Sequence, residues 1–185
     1  KKHGQGTESF PDGSKFVGQF LNGNWDGQGI FTHIGYSTYV GEWKNGQMDG
    51  QGTEIRDGDG KYVGEWLAGR FHGGGARTYS DGSQHIGEWK NDKKHGHGTF
   101  TDSVGTKYVG LWKKGDLFNG SIYDTNANLV AKYSEGIETK KLQNDRVNKS
   151  DKDLESLRVA AEGGDELAQT ELGERYLHGV GVEQD

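Results

Sequence analysis

Cysteine is absent from the 185 residues, and proline occurs once. Without cysteine the chain has no disulfide, no thiolate metal site and no thiol nucleophile, and it fits a reducing compartment. Apolar residues reach only 30%, too few for a large globular core. No run of about 20 apolar residues occurs, so no stretch reads as a membrane-spanning helix. Little apolar content and 33 glycines would suit a disordered chain, but the 11% of aromatic residues, five tryptophans among them, would not.

What is present divides unevenly. Residues 1–121 carry 14 basic and 14 acidic side chains with 27 glycines, whereas residues 122–185 carry 8, 14 and 6. Two segments of different construction are expected, meeting between residues 121 and 150.

The first segment repeats. Gly18, Gly41, Gly64, Gly87 and Gly110 stand 23 residues apart. The same step relates Phe20, Trp43, Trp66, Trp89 and Trp112, and also Phe16, Tyr39, Tyr62, His85 and Tyr108. Paired glycines follow in the half repeat and the first four full units, as at Gly50 and Gly52 or Gly73 and Gly75. Several columns at one uninterrupted period mark an array of identical supersecondary units. The units are a half repeat at 1–14, then about 15–37, 38–60, 61–83, 84–106 and a degenerate fifth at 107–121.

Each unit reads as a β-hairpin. Alternation in Tyr39-Val40-Gly41-Glu42-Trp43 puts Tyr39, Gly41 and Trp43 on one face and Val40 and Glu42 on the other. Asn45-Gly46 and Asn22-Gly23 are tight-turn pairs, and Asp12-Gly13, Asp57-Gly58 and Asp81-Gly82 close the second strands. A lone hairpin is marginal in water, but stacked hairpins bury one another's faces. The expected fold is mainly β: an elongated, twisted antiparallel sheet of stacked 23-residue hairpins. Ladders of aromatic rings over the glycines would hold it together.

The pattern Y-x-G-x-W-x-x-G-x-x-x-G-x-G resembles the MORN repeat. Tyr39, Gly41, Trp43, Gly46, Gly50 and Gly52 match it fully, as do Tyr62, Gly64, Trp66, Gly69, Gly73 and Gly75. The first complete unit departs with Phe16 and Phe20, and the fourth with His85 and Asp92. The fifth has Asn119 and Ser121 where the paired glycines belong, which reads as the end of the array. Residues 122–136 alternate and read as a closing hairpin, and the polar residues 137–150 as a linker.

From Asp151 helical spacing appears. Asp151 or Asp153 can cap a helix carrying Leu154, Leu157 and Ala161, and Asp165 a second with Leu167, Leu172 and Tyr176. Ala160, Ala161, Gly164, Ala168, Leu172, Gly173, Tyr176, Gly179, Gly181 and Val182 resemble the Sel1-like repeat, a relative of the tetratricopeptide helix pair. A C-terminal α-hairpin over about 151–185 is therefore expected.

No residue pattern points to catalysis, a cofactor or a metal. His95-Gly96-His97 could face one way in a strand, but its column mates lie two strands off, roughly 9–10 Å away. One ion with bonds of about 2 Å does not bridge that gap. The glutamate column Glu42, Glu65 and Glu88 has the same wide spacing and reads as cross-strand pairing or a binding rim. The glycine pairs lack the Lys-Ser/Thr of a phosphate loop. A net-neutral array with an acidic tail does not suit nucleic acid.

The expected function is a non-catalytic scaffold. A ribbon face bearing Tyr39, Trp43, Tyr62, Trp66, Trp89, Tyr108 and Trp112, rimmed by Glu42, Glu65 and Glu88, would take a protein partner, either an extended peptide or a helix. A homodimer through an open sheet edge is a further option. Both resemblances imply assembly and protein contacts. The MORN resemblance also implies a phospholipid-binding, membrane-peripheral alternative, which the array's neutral charge disfavours, and a third reading, the regulatory part of an enzyme. The expected location is the cytoplasm.

Overall fold

The computed structural model describes residues 1–141. The rest of the expected linker and the Sel1-like α-hairpin lie outside the described residues. Among the described residues thirteen strands form one antiparallel sheet in which sequence order is spatial order. They are β1 (Gly4–Ser9), β2 (Lys15–Leu21), β3 (Asn24–His33), β4 (Ser37–Lys44), β5 (Gln47–Arg56), β6 (Gly60–Leu67), β7 (Arg70–Tyr79), β8 (Gln84–Lys90), β9 (Lys93–Thr101), β10 (Lys107–Lys113), β11 (Asp116–Tyr123), β12 (Leu129–Ser134) and β13 (Ile137–Lys141).

Alternation decides the faces. In β6, Tyr62, Gly64 and Trp66 are buried while Lys61, Val63, Glu65 and Leu67 are exposed. Strands β2 and β4 keep the same phase, so every unit sends its two rings to one side. That ring face is the core: Phe16, Phe20, Tyr39, Trp43, Tyr62, Trp66, Phe71 and Trp89 form one cluster.

The tight turns set the register. Asn45 and Gly46 have φ of 50° and 83°, and Asn22 and Gly23 have 53° and 92°. Positive φ at both central residues is the mirror-type turn whose twist matches paired strands. The turns also stack the units. Gly46 N–H donates to Trp25 O at 2.8 Å, Gly69 N–H to Met48 O at 2.8 Å, and Gly115 N–H to Lys94 O at 2.9 Å. Asp92 breaks the glycine column, yet its N–H still donates to Phe71 O at 3.2 Å.

One sequence expectation is corrected. Residues 137–141, expected in the linker, are strand β13, paired to β12 after a Glu135-Gly136 turn with φ of 54° and 80°. An edge strand pairs through its backbone and needs no apolar stripe, so its polar composition hid it. The fifth unit keeps one second-strand glycine, Gly120. Its register break is shorter, so Gly120 rather than residue 121 lies opposite Gly110, as Gly52 lies opposite Gly41.

Candidate functional site

The rings expected to face a partner are covered by one another. Tyr39, Trp43, Tyr62, Trp66, Trp89 and Trp112 are at most 6% exposed, and only Tyr108 is half-buried. The physical reason is a zipper of edge-to-face contacts. Phe16 meets Trp43, Tyr39 meets Trp43 and Trp66, Tyr62 meets Trp66 and Trp89, and His85 meets Trp89 and Trp112, with centroids 5.0–5.6 Å apart. Each first-strand ring thus bridges two units, the geometry that aromatic quadrupoles favour.

The polar ends of the rings are tied down as well. The indole N–H of Trp43, Trp66, Trp89 and Trp112 donates to Gly29, Gly52, Gly75 and Gly98 O, always 14 residues back and at 2.9–3.3 Å. Tyr39 and Tyr62 hydroxyls donate to Glu42 and Glu65 O at 3.0 Å. Burial pushes both tyrosines well above their ordinary pKa. The glycines Gly18, Gly41, Gly64, Gly87 and Gly110 form the floor under this zipper, each opposite another glycine.

The glutamate column is structural. Inside each hairpin the register slips opposite Glu42 or Glu65, leaving a bulge whose Gly50 or Gly73 has φ of 97° or 54°. The carboxylate folds over that glycine and accepts the next amide: Gln51 N–H to Glu42 at 2.9 Å, Gly74 N–H to Glu65 at 3.0 Å, His97 N–H to Glu88 at 2.8 Å. Gln19 does the same for Gln28 N–H at 2.9 Å, so a carbonyl-type oxygen rather than a charge is what the bulge needs. Among the described residues no group of three or more His, Cys, Asp or Glu side chains is arranged to hold a metal ion.

His85 takes a tyrosine's place without its hydrogen bond. It is fully buried, and neither ring nitrogen has a partner. Burial first, and then the Lys94 charge, push its pKa from 6.5 down to about 4. The unfolded imidazole takes a proton near pH 6.5 and the folded one only near 4, so this contribution to stability is complete above about pH 6.5 and falls as pH drops toward 4. His85→Tyr is expected to remove that slope and restore a hydroxyl donor. Urea midpoints of both proteins at pH 7 and 4.5 check this, and equal losses in the two would contradict it.

The opposite face carries the feature that the sequence reading passed over. Thr7, Val17, Ile30, Val40, Thr53, Val63, Ala76, Ile86, Thr99, Val109 and Ser121 are consecutive cross-strand partners in one row from β1 to β11. Val17, Ile30, Val40, Val63, Ile86 and Val109 remain 38–55% exposed. At about 4.8 Å per strand the row runs roughly 48 Å. The signal was available: Val17, Val40, Val63, Ile86 and Val109 are one more column at the 23-residue step.

The MORN repeat model matches residues 1–15, 16–34, 39–60, 62–84 and 85–107, which together make up more than half of the chain. No curated protein matches the sequence.

Proposed function

The chain belongs to the MORN repeat family, and on that premise we propose that it is a non-catalytic scaffold whose protein-docking surface is the open face of the sheet. The observation that carries this reading is the exposed β-branched row. The ring face uses its apolar surface for its own cohesion, whereas the row leaves six large aliphatic side chains in water between β2 and β10. Recurrent exposed aliphatic side chains along one face of this kind suit an interaction surface. The non-catalytic part rests on the glutamates being committed to backbone amides and the strongly shifted tyrosines and His85 being sealed in the zipper.

The test uses Val63→Lys, Ile86→Lys and Val109→Lys together. These positions are exposed, so the melting temperature should fall by no more than a few degrees. Quantitative affinity capture from the source cells should then show proteins held by the wild type and lost by the variant. Identical retention by both would sink the open-face assignment.

A further inference from the structure

The loop between β3 and β4 departs from the repeat, and its Ile34 side chain reaches over Gly13 of the preceding turn. Ile34-Gly35-Tyr36 occupies the positions that Asp57-Gly58-Asp59 holds one unit later. The two turns are built alike: Tyr36 N–H donates to His33 O at 3.1 Å, and Asp59 N–H donates to Arg56 O at 3.2 Å. The turn therefore tolerates aspartate at both sites. In this unit it instead holds two large side chains in water, Ile34 at 64% and Tyr36 at 55% exposure. Exposing them costs hydration free energy that the aspartates of the next unit avoid.

Beside this loop lies an open groove of about 380 Å³, within the range of side-chain and small-ligand pockets. Its floor is the cross-strand run Thr32, Thr38 and Ile55, on the same face as the Val40 row. Ile34 supplies an apolar wall, and His33, whose ring lies tilted 5.2 Å from that of Tyr36, and Asp57 supply the rim. The Asp57 carboxylate has no hydrogen bond or ion pair among the described residues; only its N–H is engaged, to Tyr36 O at 2.9 Å.

We propose that this groove is the anchor point of the docking face, and that its occupant is a linear segment of a partner protein. One apolar side chain of that segment enters between Ile34 and Ile55, and a lysine or arginine close by in its sequence pairs with Asp57. The inference rests on the scaffold reading above and names where the partner is held and by what chemistry. Buried aliphatic or aromatic anchors carry most of the energy of such contacts. Asp57 is the only carboxylate lining the groove and asks for a cationic side chain at that point of the occupant. Flanking Lys15 and Lys61, cross-strand neighbours of Thr32 and Ile55, disfavour a purely basic segment.

A displayed library of random 12-residue peptides, selected on the wild-type chain, tests it. The comparator is Ile34→Asp with Tyr36→Asp, which installs the residues of the next unit and so preserves the turn. Selected peptides should share an apolar residue within three positions of Lys or Arg. In fluorescence anisotropy they should lose at least tenfold in affinity on the double variant and severalfold on Asp57→Asn. Peptides that bind both proteins equally, or that carry no basic residue, overturn the proposal. Peptides that ignore the loop variant but are lost on Val63→Lys with Ile86→Lys sink the groove and leave the scaffold reading standing. Failure to enrich any peptide sinks the groove too, while the scaffold reading is decided by the capture experiment. Sedimentation with phosphatidylcholine–phosphatidylserine vesicles by the wild type but not the loop variant would assign the loop to a membrane and overturn the proposal as well.

Discussion

Trp66→Ala is expected to cost about 4 kcal/mol, enough to consume a large share of the 5–15 kcal/mol that holds a typical domain folded. Trp66 is 3% exposed and touches three rings: Tyr39 of the preceding unit at 5.1 Å, its own unit's Tyr62 at 5.3 Å and Phe71 at 4.8 Å. Alanine removes all three contacts and the indole donor to Gly52 O. Nothing stands ready to refill the space, because the sheet is one layer and each ring is held by its own neighbours. In a stacked array the loss falls on the interface between units as much as on the unit itself. Unfolding should therefore weaken over several neighbouring hairpins rather than one. Urea denaturation followed by tryptophan fluorescence reads the total, and amide exchange reads the spread. A cost under about 1 kcal/mol, or protection lost in only one hairpin, would mean that the zipper is not what couples the units.

Much of the ring face was legible because the period of 23 repeats every packing demand five times. Tyr39, Gly41 and Trp43 announce a strand with one crowded face, and Asn45-Gly46 announces the turn that returns it. What could not be read was the state of the rings once stacked. A row of tyrosines and tryptophans looks the same in sequence whether it is offered to a partner or closed on itself. Only the 5 Å contacts between units decide that it is closed. The glutamates' two readings, cross-strand pairing or a binding rim, stayed open for a related reason. The extra residues opposite Glu42 create the bulge amide that Glu42 caps, and a bulge is invisible until the pairing register is known. Register also hides the role of Gly120, which one residue fewer in the bulge places opposite Gly110. The open-face valines were in plain view, but an exposed Val in a strand reads as ordinary β-propensity. Only the pairing lines up Val17, Ile30 and Val40 as a single surface.

Two adjacent glycines separate ring packing from backbone preference. Gly75→Ala is expected to destabilise the array by about 3 kcal/mol, and Gly74→Ala to be neutral or slightly stabilising. A methyl on Gly75 would meet Tyr62 at its hydroxyl and, at 2.6 Å, at Cζ. That ring cannot step aside. Its hydroxyl donates to Glu65 O, its face stacks on Phe71 at 3.8 Å, and its edges meet Trp66 and Trp89. Room for the methyl would have to come from shifting β7 against β6, where Gly75 pairs with Gly64. A methyl on Gly74 points to the open face and finds only Glu65 Oε1, at 3.5 Å, an ordinary contact. Both substitutions remove the same backbone freedom from the unfolded chain, so the difference between them isolates the ring. Thermal melts of the two variants should differ by roughly 6–12 °C at the slope expected for a chain of this size. Equal melting temperatures would show that Tyr62 can lift off the sheet at little cost, and the glycine columns would then reflect strand approach alone.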